Sequence, residues 1–229
     1  MAGISRLSFY NKVITNGIIP IFYNPDPDTA YAVAAACIEG GLDVVEITNR
    51  GTDAIDLFKK VRAALKKQKP QAVLGAGTVL DAATAAIYIA RGADFIVSPV
   101  LDKETALLCN KHKTAYIPGT ASLNEIHQAH SLGAELVKLF PAAECGGPAF
   151  VKKILAPCPR TSLIATGGVD PSYESLAEWF KAGITAAGIG SRLITKKVTT
   201  AGDYDRLKKD AGAALANYKK IKNSMQEKQ

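Results

Sequence analysis

Ile18-Ile19-Pro20-Ile21-Phe22-Tyr23-Asn24-Pro25-Asp26-Pro27 is an apolar run that ends in a polar, proline-rich turn, and that ending decides between two folds. The run has the length and composition of a strand, and the prolines after it stop the ladder. Seven further runs rich in Val, Ile and Leu follow, at 43–48, 72–75, 95–98, 115–117, 136–140, 163–166 and 186–189. Between them lie helical patterns, several closed by glycine at Gly40-Gly41, Gly92, Gly133 and Gly183, as expected at helix C-termini. The spacing of roughly 20 to 29 residues is one strand plus one helix, and eight such units are the count of a closed parallel barrel. An open doubly wound sheet shares the alternation but sets a Gly-rich turn after its first strand. Asn24-Pro25-Asp26-Pro27 stands there instead. The prediction is therefore an α/β fold, a (β/α)8 TIM barrel, with one helix before the first strand and a single domain over 1–229.

Composition narrows the partners. The chain has 229 residues, 48% apolar and 21% charged, which suits one large core. No apolar stretch approaches the roughly eighteen residues of a membrane span, and the N-terminal residues do not read as a signal peptide, so a cytoplasmic protein is expected. The net charge of +7 suits an anionic ligand. Many of the lysines, including Lys208, Lys209, Lys219, Lys220 and Lys222, fall near the C-terminus and read as a solvated helix face. With little aromatic interleaving and no nucleic-acid-binding motif, they do not argue for nucleic acid. Cys37, Cys109, Cys145 and Cys158 are scattered, which suggests neither a zinc site nor a disulfide framework.

Chemistry in such a barrel collects where strands end. The run Leu136-Val137-Lys138-Leu139-Phe140 carries a lysine inside an apolar strand. A desolvated ammonium loses proton affinity, and a neutral amine attacks carbonyl carbon, so Schiff-base chemistry is one reading. Snorkelling from an edge strand, or pairing with a buried carboxylate, is the other. Strand alternation puts Val44, Glu46 and Thr48 on one face of the second strand. If Val45 and Ile47 pack under helices, Glu46 points inward, and so does Lys138 from the diametrically opposed sixth strand. Glu46 could then shuttle protons for Lys138, or simply pair with Arg50 or a lysine. Arg50 offers a fixed cation for a carboxylate and would disfavour protonation of Lys138. The seventh and eighth strands end in Thr166-Gly167-Gly168-Val169 and Gly188-Ile189-Gly190-Ser191-Arg192. Glycine-rich loops after those two strands are the usual phosphate cradle of this fold.

Five segments together resemble the 2-keto-3-deoxy-6-phosphogluconate and 4-hydroxy-2-oxoglutarate aldolases, over about residues 18–193. They are the decapeptide from Gly41 to Arg50, Gly75-Ala76-Gly77-Thr78-Val79, Lys138-Leu139-Phe140-Pro141-Ala142, Thr166-Gly167-Gly168-Val169 and Gly188-Ile189-Gly190-Ser191. The resemblance implies a class I lyase of carbohydrate metabolism, in the Entner-Doudoroff style, that needs no cofactor or metal. It implies that Lys138 forms a Schiff base with pyruvate and that Glu46 moves protons. It further implies that Arg50 and Thr78 hold the pyruvate carboxylate, that Pro99 and Phe140 shape the pocket, and that Thr166 lies near the substrate chain. Gly167, Gly168, Gly190 and Ser191 would take the phosphate of a phosphorylated keto acid, in a homotrimer. Where the family usually has Ser-Pro-Gly, this chain has Ser98-Pro99-Val100, a change expected to narrow or reshape the pocket mouth. Arg192 and the segment Ala142-Ala143-Glu144-Cys145 are further departures.

Rival readings are a non-catalytic phosphosugar-binding barrel, an aldolase for 2-keto-3-deoxy-6-phosphogalactonate, and a metal-dependent lyase. The last lacks a ligand set, since His127 and His130 have no third partner nearby in sequence and His112 reads as an exposed helix end.

Overall fold

The computed structural model describes residues 4–227. Helix α1 (Arg6–Asn16) precedes strand β1 (Ile18–Phe22), as predicted. Strand and helix then alternate: α2 (Pro27–Glu39), β2 (Val44–Thr48), α3 (Ala54–Gln68), β3 (Val73–Gly77), α4 (Ala82–Ala90), β4 (Phe95–Val97), α5 (Lys103–His112) and β5 (Ala115–Ile117). They continue with β6 (Gly119–Thr120), α6 (Leu123–Ser131), β7 (Val137–Leu139), α7 (Gly147–Leu155), β8 (Leu163–Thr166), α8 (Tyr173–Ala182) and β9 (Ala186–Ile189). Two helices, α9 (Lys196–Ala201) and α10 (Tyr204–Gln226), close the described chain. Asp26, Asp81, Asp102, Ser122 and Ser172 start their helices by accepting a backbone N–H three residues on.

All strand pairings are parallel, in the order β5-β4-β3-β2-β1-β9-β8-β7-β6. Nine segments appear where eight strands were predicted, and Pro118 is the reason. It has no N–H to give the ladder and splits one barrel strand into β5 and β6. The two pieces serve opposite neighbours: Ser98 donates to Ile117 O at 3.1 Å on one side, and Lys138 donates to Pro118 O at 2.8 Å on the other. The ends of the sheet are thus consecutive in sequence, and the barrel closes through residues 115–120. In that ring β2 and β7 lie four strands apart, on opposite walls.

Alternation divides the core in two. Val45, Ile47, Leu74, Ile96, Val137 and Leu139 face outward and pack with the helices. Val44, Val73, Phe95, Val97, Ile117, Leu136 and Ile164 face the barrel interior. Helix α1 plugs the interior at the N-terminal end of the strands, where its buried Phe9 stacks on Phe95 at 4.6 Å between ring centroids. Such a pair adds about 0.5–1.5 kcal/mol beyond burial. With that end filled, chemistry is left to the face where the strands end.

Helix α10 buries Leu207, Ala211, Ala214, Tyr218 and Ile221, while Lys208, Lys209, Lys219 and Lys220 are exposed, as expected of a solvated face. Among the described residues no helix is long and apolar enough to cross a membrane.

Candidate active site

Glu46 sits on the inner face of β2, directly beside β3, where Glu46 is in register with Gly75. The glycines of Gly75-Ala76-Gly77 are what make space there. A Cβ at Gly77 would run into the Glu46 carboxyl, and one at Gly75 into the Phe95 ring. A barrel interior this narrow admits a long acidic side chain only where the neighbouring strand gives up its own. Glu46 is 2% exposed and its Oε1 is buried without a hydrogen-bond partner.

Lys138 enters from the opposite wall. It is 6% exposed, pairs in register with Ile164 of β8, and its Nζ lies 4.6 Å from the centre of the Phe140 ring. Among the described residues no carboxylate lies within ion-pair distance of Nζ. Its backbone is fixed on both sides: the amide bonds to Pro118, and the carbonyl accepts from Thr120 Oγ1 at 3.1 Å. The snorkelling reading is thereby excluded, since β7 is an interior strand and Lys138 is buried.

Burial raises the Glu46 carboxyl above its usual range, an effect that the Lys138 charge partly opposes. Burial lowers the Lys138 ammonium, an effect that the Glu46 charge partly opposes. Each proton affinity moves toward the other, so a proton shared between the two groups crosses a smaller gap than it would in water. Arg50, the cation expected to lower Lys138 as well, is exposed at the mouth of the barrel, and the forces acting on Lys138 are burial and Glu46.

One layer above this pair opens a cavity of about 720 Å³, within the usual size for small-molecule sites. Its walls include Arg50, Phe140, Thr166, Gly167, Gly168, Gly190 and Ser191, all singled out from sequence. Thr166 Oγ1 is buried there without a partner. Thr78 and Pro99 end up at the far rim, on the loops after β3 and β4, and do not contribute to these walls. Pro99 presses its backbone against Gly119, where a Cβ would not fit. Val100, expected to narrow or reshape the mouth, is 47% exposed and is not among the wall residues.

Sequence reasoning missed Tyr23, Lys196 and Thr199 as wall residues, placed Thr48 only on the inner face of its strand, and noted Arg192 and Glu144 only as departures. The available signal was Thr195, which caps α9 by accepting from Val198 N at 3.3 Å and so sets where Lys196 and Thr199 fall. Together Arg50, Arg192 and Lys196 face Glu144, three cations to one carboxylate, around an opening suited to a substrate with more than one anionic group.

The family model described as KDPG and KHG aldolase matches residues 10–209. The chain belongs to that aldolase family. The aldolase is 34% identical over 203 residues to a 2-dehydro-3-deoxy-phosphogluconate aldolase of Pseudoalteromonas atlantica, covering 87% of this chain and 90% of that protein. It is 32% identical over 177 residues to a 2-dehydro-3-deoxy-6-phosphogalactonate aldolase of Escherichia coli, covering 77% and 83%. A solved KDPG aldolase of Legionella pneumophila, with pyruvate captured at low pH as a covalent carbinolamine intermediate, superposes with a TM-score of 0.81 at 26% identity, covering 90% of this chain and 97% of that one. Membership in an aldolase family sets aside the non-catalytic barrel and the metal-dependent lyase. Among the described residues no group of three or more His, Cys, Asp or Glu gathers as a metal site.

Proposed function

We propose that this aldolase reversibly cleaves a 2-keto-3-deoxy-6-phospho sugar acid, of the phosphogluconate type, to pyruvate and glyceraldehyde 3-phosphate through a Schiff base on Lys138. The observation that carries this reading is a buried amine and a buried carboxyl that face one another from opposed strands, the amine without an ion-pair partner and the carboxyl Oε1 without a hydrogen-bond partner among the described residues, beneath a cavity with a cationic mouth. Lys138 Nζ adds to the 2-keto carbon, and the carbinolamine loses water to give an iminium. The C4 hydroxyl gives up its proton, the C3–C4 bond breaks, and its electrons flow into the iminium as an enamine while the aldehyde leaves. Protonation at C3 and hydrolysis return pyruvate and the free amine. Glu46 carries the protons of these steps, Arg50 holds the pyruvate carboxylate from the cavity wall with Thr78 reaching it from the rim, and Phe140 shapes the pocket wall while Pro99 bounds it at the rim. The same cleavage applied to 4-hydroxy-2-oxoglutarate gives pyruvate and glyoxylate. The similarity to the Escherichia coli phosphogalactonate enzyme supports the epimeric sugar acid as second reading, and kcat/KM measured on both sugar acids decides between them.

The phosphate falls to Gly167, Gly168, Gly190 and Ser191, with Thr166 along the chain and Arg192 beside them. Positive φ at Gly167 and Gly168, 93° and 81°, turns that loop in a way other residues resist. Replacing Ser191 and Arg192 together with alanine is expected to lower kcat/KM for the phosphorylated acid about ten- to a hundredfold, the cost of losing charge-assisted bonds. The unphosphorylated 2-keto-3-deoxygluconate should lose little. An equal loss on both substrates contradicts the assignment. We further read the protein as a cytoplasmic homotrimer, the assembly the family resemblance implies. Sedimentation equilibrium tests the trimer, and a mass of one chain at micromolar concentration contradicts it.

A further inference from the structure

Arg50 stands at the cavity mouth on an exposed loop, where a long cation has many rotamers and would lose much of its freedom on holding a carboxylate. The residue before it is anchored twice. Asn49 donates its backbone N–H to Gly77 O at 2.7 Å, and its side-chain Oδ1 accepts from Tyr88 Oη at 2.8 Å. Tyr88 belongs to α4 and is 1% exposed, wedged edge-on against Phe58 of α3 with ring centroids 5.1 Å apart and an interplanar angle of 85°. A phenol held in that way by two helices is a rigid donor. Its burial pushes the hydroxyl pKa up to about 12, so it keeps its proton across the working range.

The two anchors join separate parts of the site. Gly77 precedes Thr78, whose backbone takes a positive φ of 57°, unusual for a residue other than glycine. One asparagine therefore ties the loop bearing Arg50 to the loop bearing Thr78, and ties both to the packed α3–α4 layer. On the other side of Asn49, Thr48 lines the cavity from the end of β2.

We propose that Tyr88 and Asn49 form a positioning pair that holds Arg50 over the cavity mouth in the orientation that receives the substrate carboxylate. Neither side chain touches substrate; they act through Arg50. The inference deepens the reading of Arg50 given above and rests on it.

The test is a double-mutant cycle on KM and kcat for the phosphorylated keto acid. Tyr88→Phe keeps the ring and its packing and removes only the hydroxyl. It is expected to raise KM about three- to tenfold, the range for one lost buried hydrogen bond, with kcat within about twofold. Asn49→Ala should do the same, Asn49→Asp, which still accepts from the phenol, should recover most of the loss, and Tyr88→Phe added to Arg50→Ala should raise KM no further. If Arg50→Ala raises KM and Tyr88→Phe does not, or if Tyr88→Phe costs the same factor in the Arg50→Ala background, the pair does not act through Arg50 and the inference is overturned. If Arg50→Ala leaves KM unchanged, the carboxylate role of Arg50 fails and the positioning role falls with it.

Discussion

Lys138→Arg is expected to abolish the pyruvate adduct trapped by borohydride and to lower turnover by at least roughly a thousandfold, in the range seen when a covalent nucleophile is lost. The substitution separates the two things a buried lysine could do. Arginine keeps the positive charge, because its pKa above about 12 forbids deprotonation, and it has no free electron pair to offer a carbonyl carbon. A lysine that served only as a cation for the ligand would be replaced with modest loss; a nucleophile would not. In the unaltered protein, reduction in the presence of pyruvate should add one three-carbon acid to the intact mass, carried on the peptide containing Lys138. Selectivity among the many lysines follows from the environment. Lys138 is held in an apolar interior strand with its ammonium destabilised by burial, whereas Lys208, Lys209, Lys219 and Lys220 lie in water on α10. Adduct formation that survives in Lys138→Arg, or that maps to another lysine, sinks the mechanism.

The inward direction of Glu46 and Lys138 was legible in the sequence because strand periodicity is geometric. A period of two with Val45, Ile47, Val137 and Leu139 on one face leaves the other face no choice but the interior. The opposition of the two strands was legible too, since a count of eight fixes which walls face each other. Pro118 also stood in the sequence, but counting apolar runs does not say whether a proline ends a strand or interrupts one that serves two neighbours. The layer of the site above the strands was less accessible. Arg50, Ser191 and the glycines were found through their place at strand ends, whereas Glu144, Lys196 and Thr199 reach the cavity from loop and helix positions that no short-range pattern specifies. The influence expected of Arg50 on Lys138 fails for the same reason: sequence gives the residue's place on the strand end and not how far its charge stands from the interior. Asn49 and Tyr88 meet across 39 residues, one on the loop after β2 and the other on α4, and only the tertiary fold brings them together.

Glu46→Gln is expected to lower kcat by about 10² to 10⁴-fold, the usual share of general acid–base catalysis, while binding of pyruvate changes little. The amide has the shape of the acid and fits the same slot beside Gly77, so the loss reports chemistry and not a repacked interior. Glutamine can still donate and accept a hydrogen bond, but it cannot take the proton from one intermediate and return it to the next. A second signature comes from charge. The rate of adduct formation follows the fraction of Lys138 that is neutral, and its midpoint in pH lies below the ordinary 10.5 because burial lowers it. The negative charge of Glu46 pulls that midpoint back up. The neutral amide in the Glu46→Gln variant has no charge with which to do so, and the midpoint should therefore fall further, with adduct formation in the variant reaching its plateau at lower pH than in the unaltered protein. The measurement is the initial rate of borohydride trapping with pyruvate across pH, alongside steady-state turnover. A midpoint that stays or rises shows that the two groups do not sense each other across the barrel, and unchanged turnover removes Glu46 from the proton path; slow turnover with the lowered midpoint is what a facing amine and carboxyl in one dry interior require.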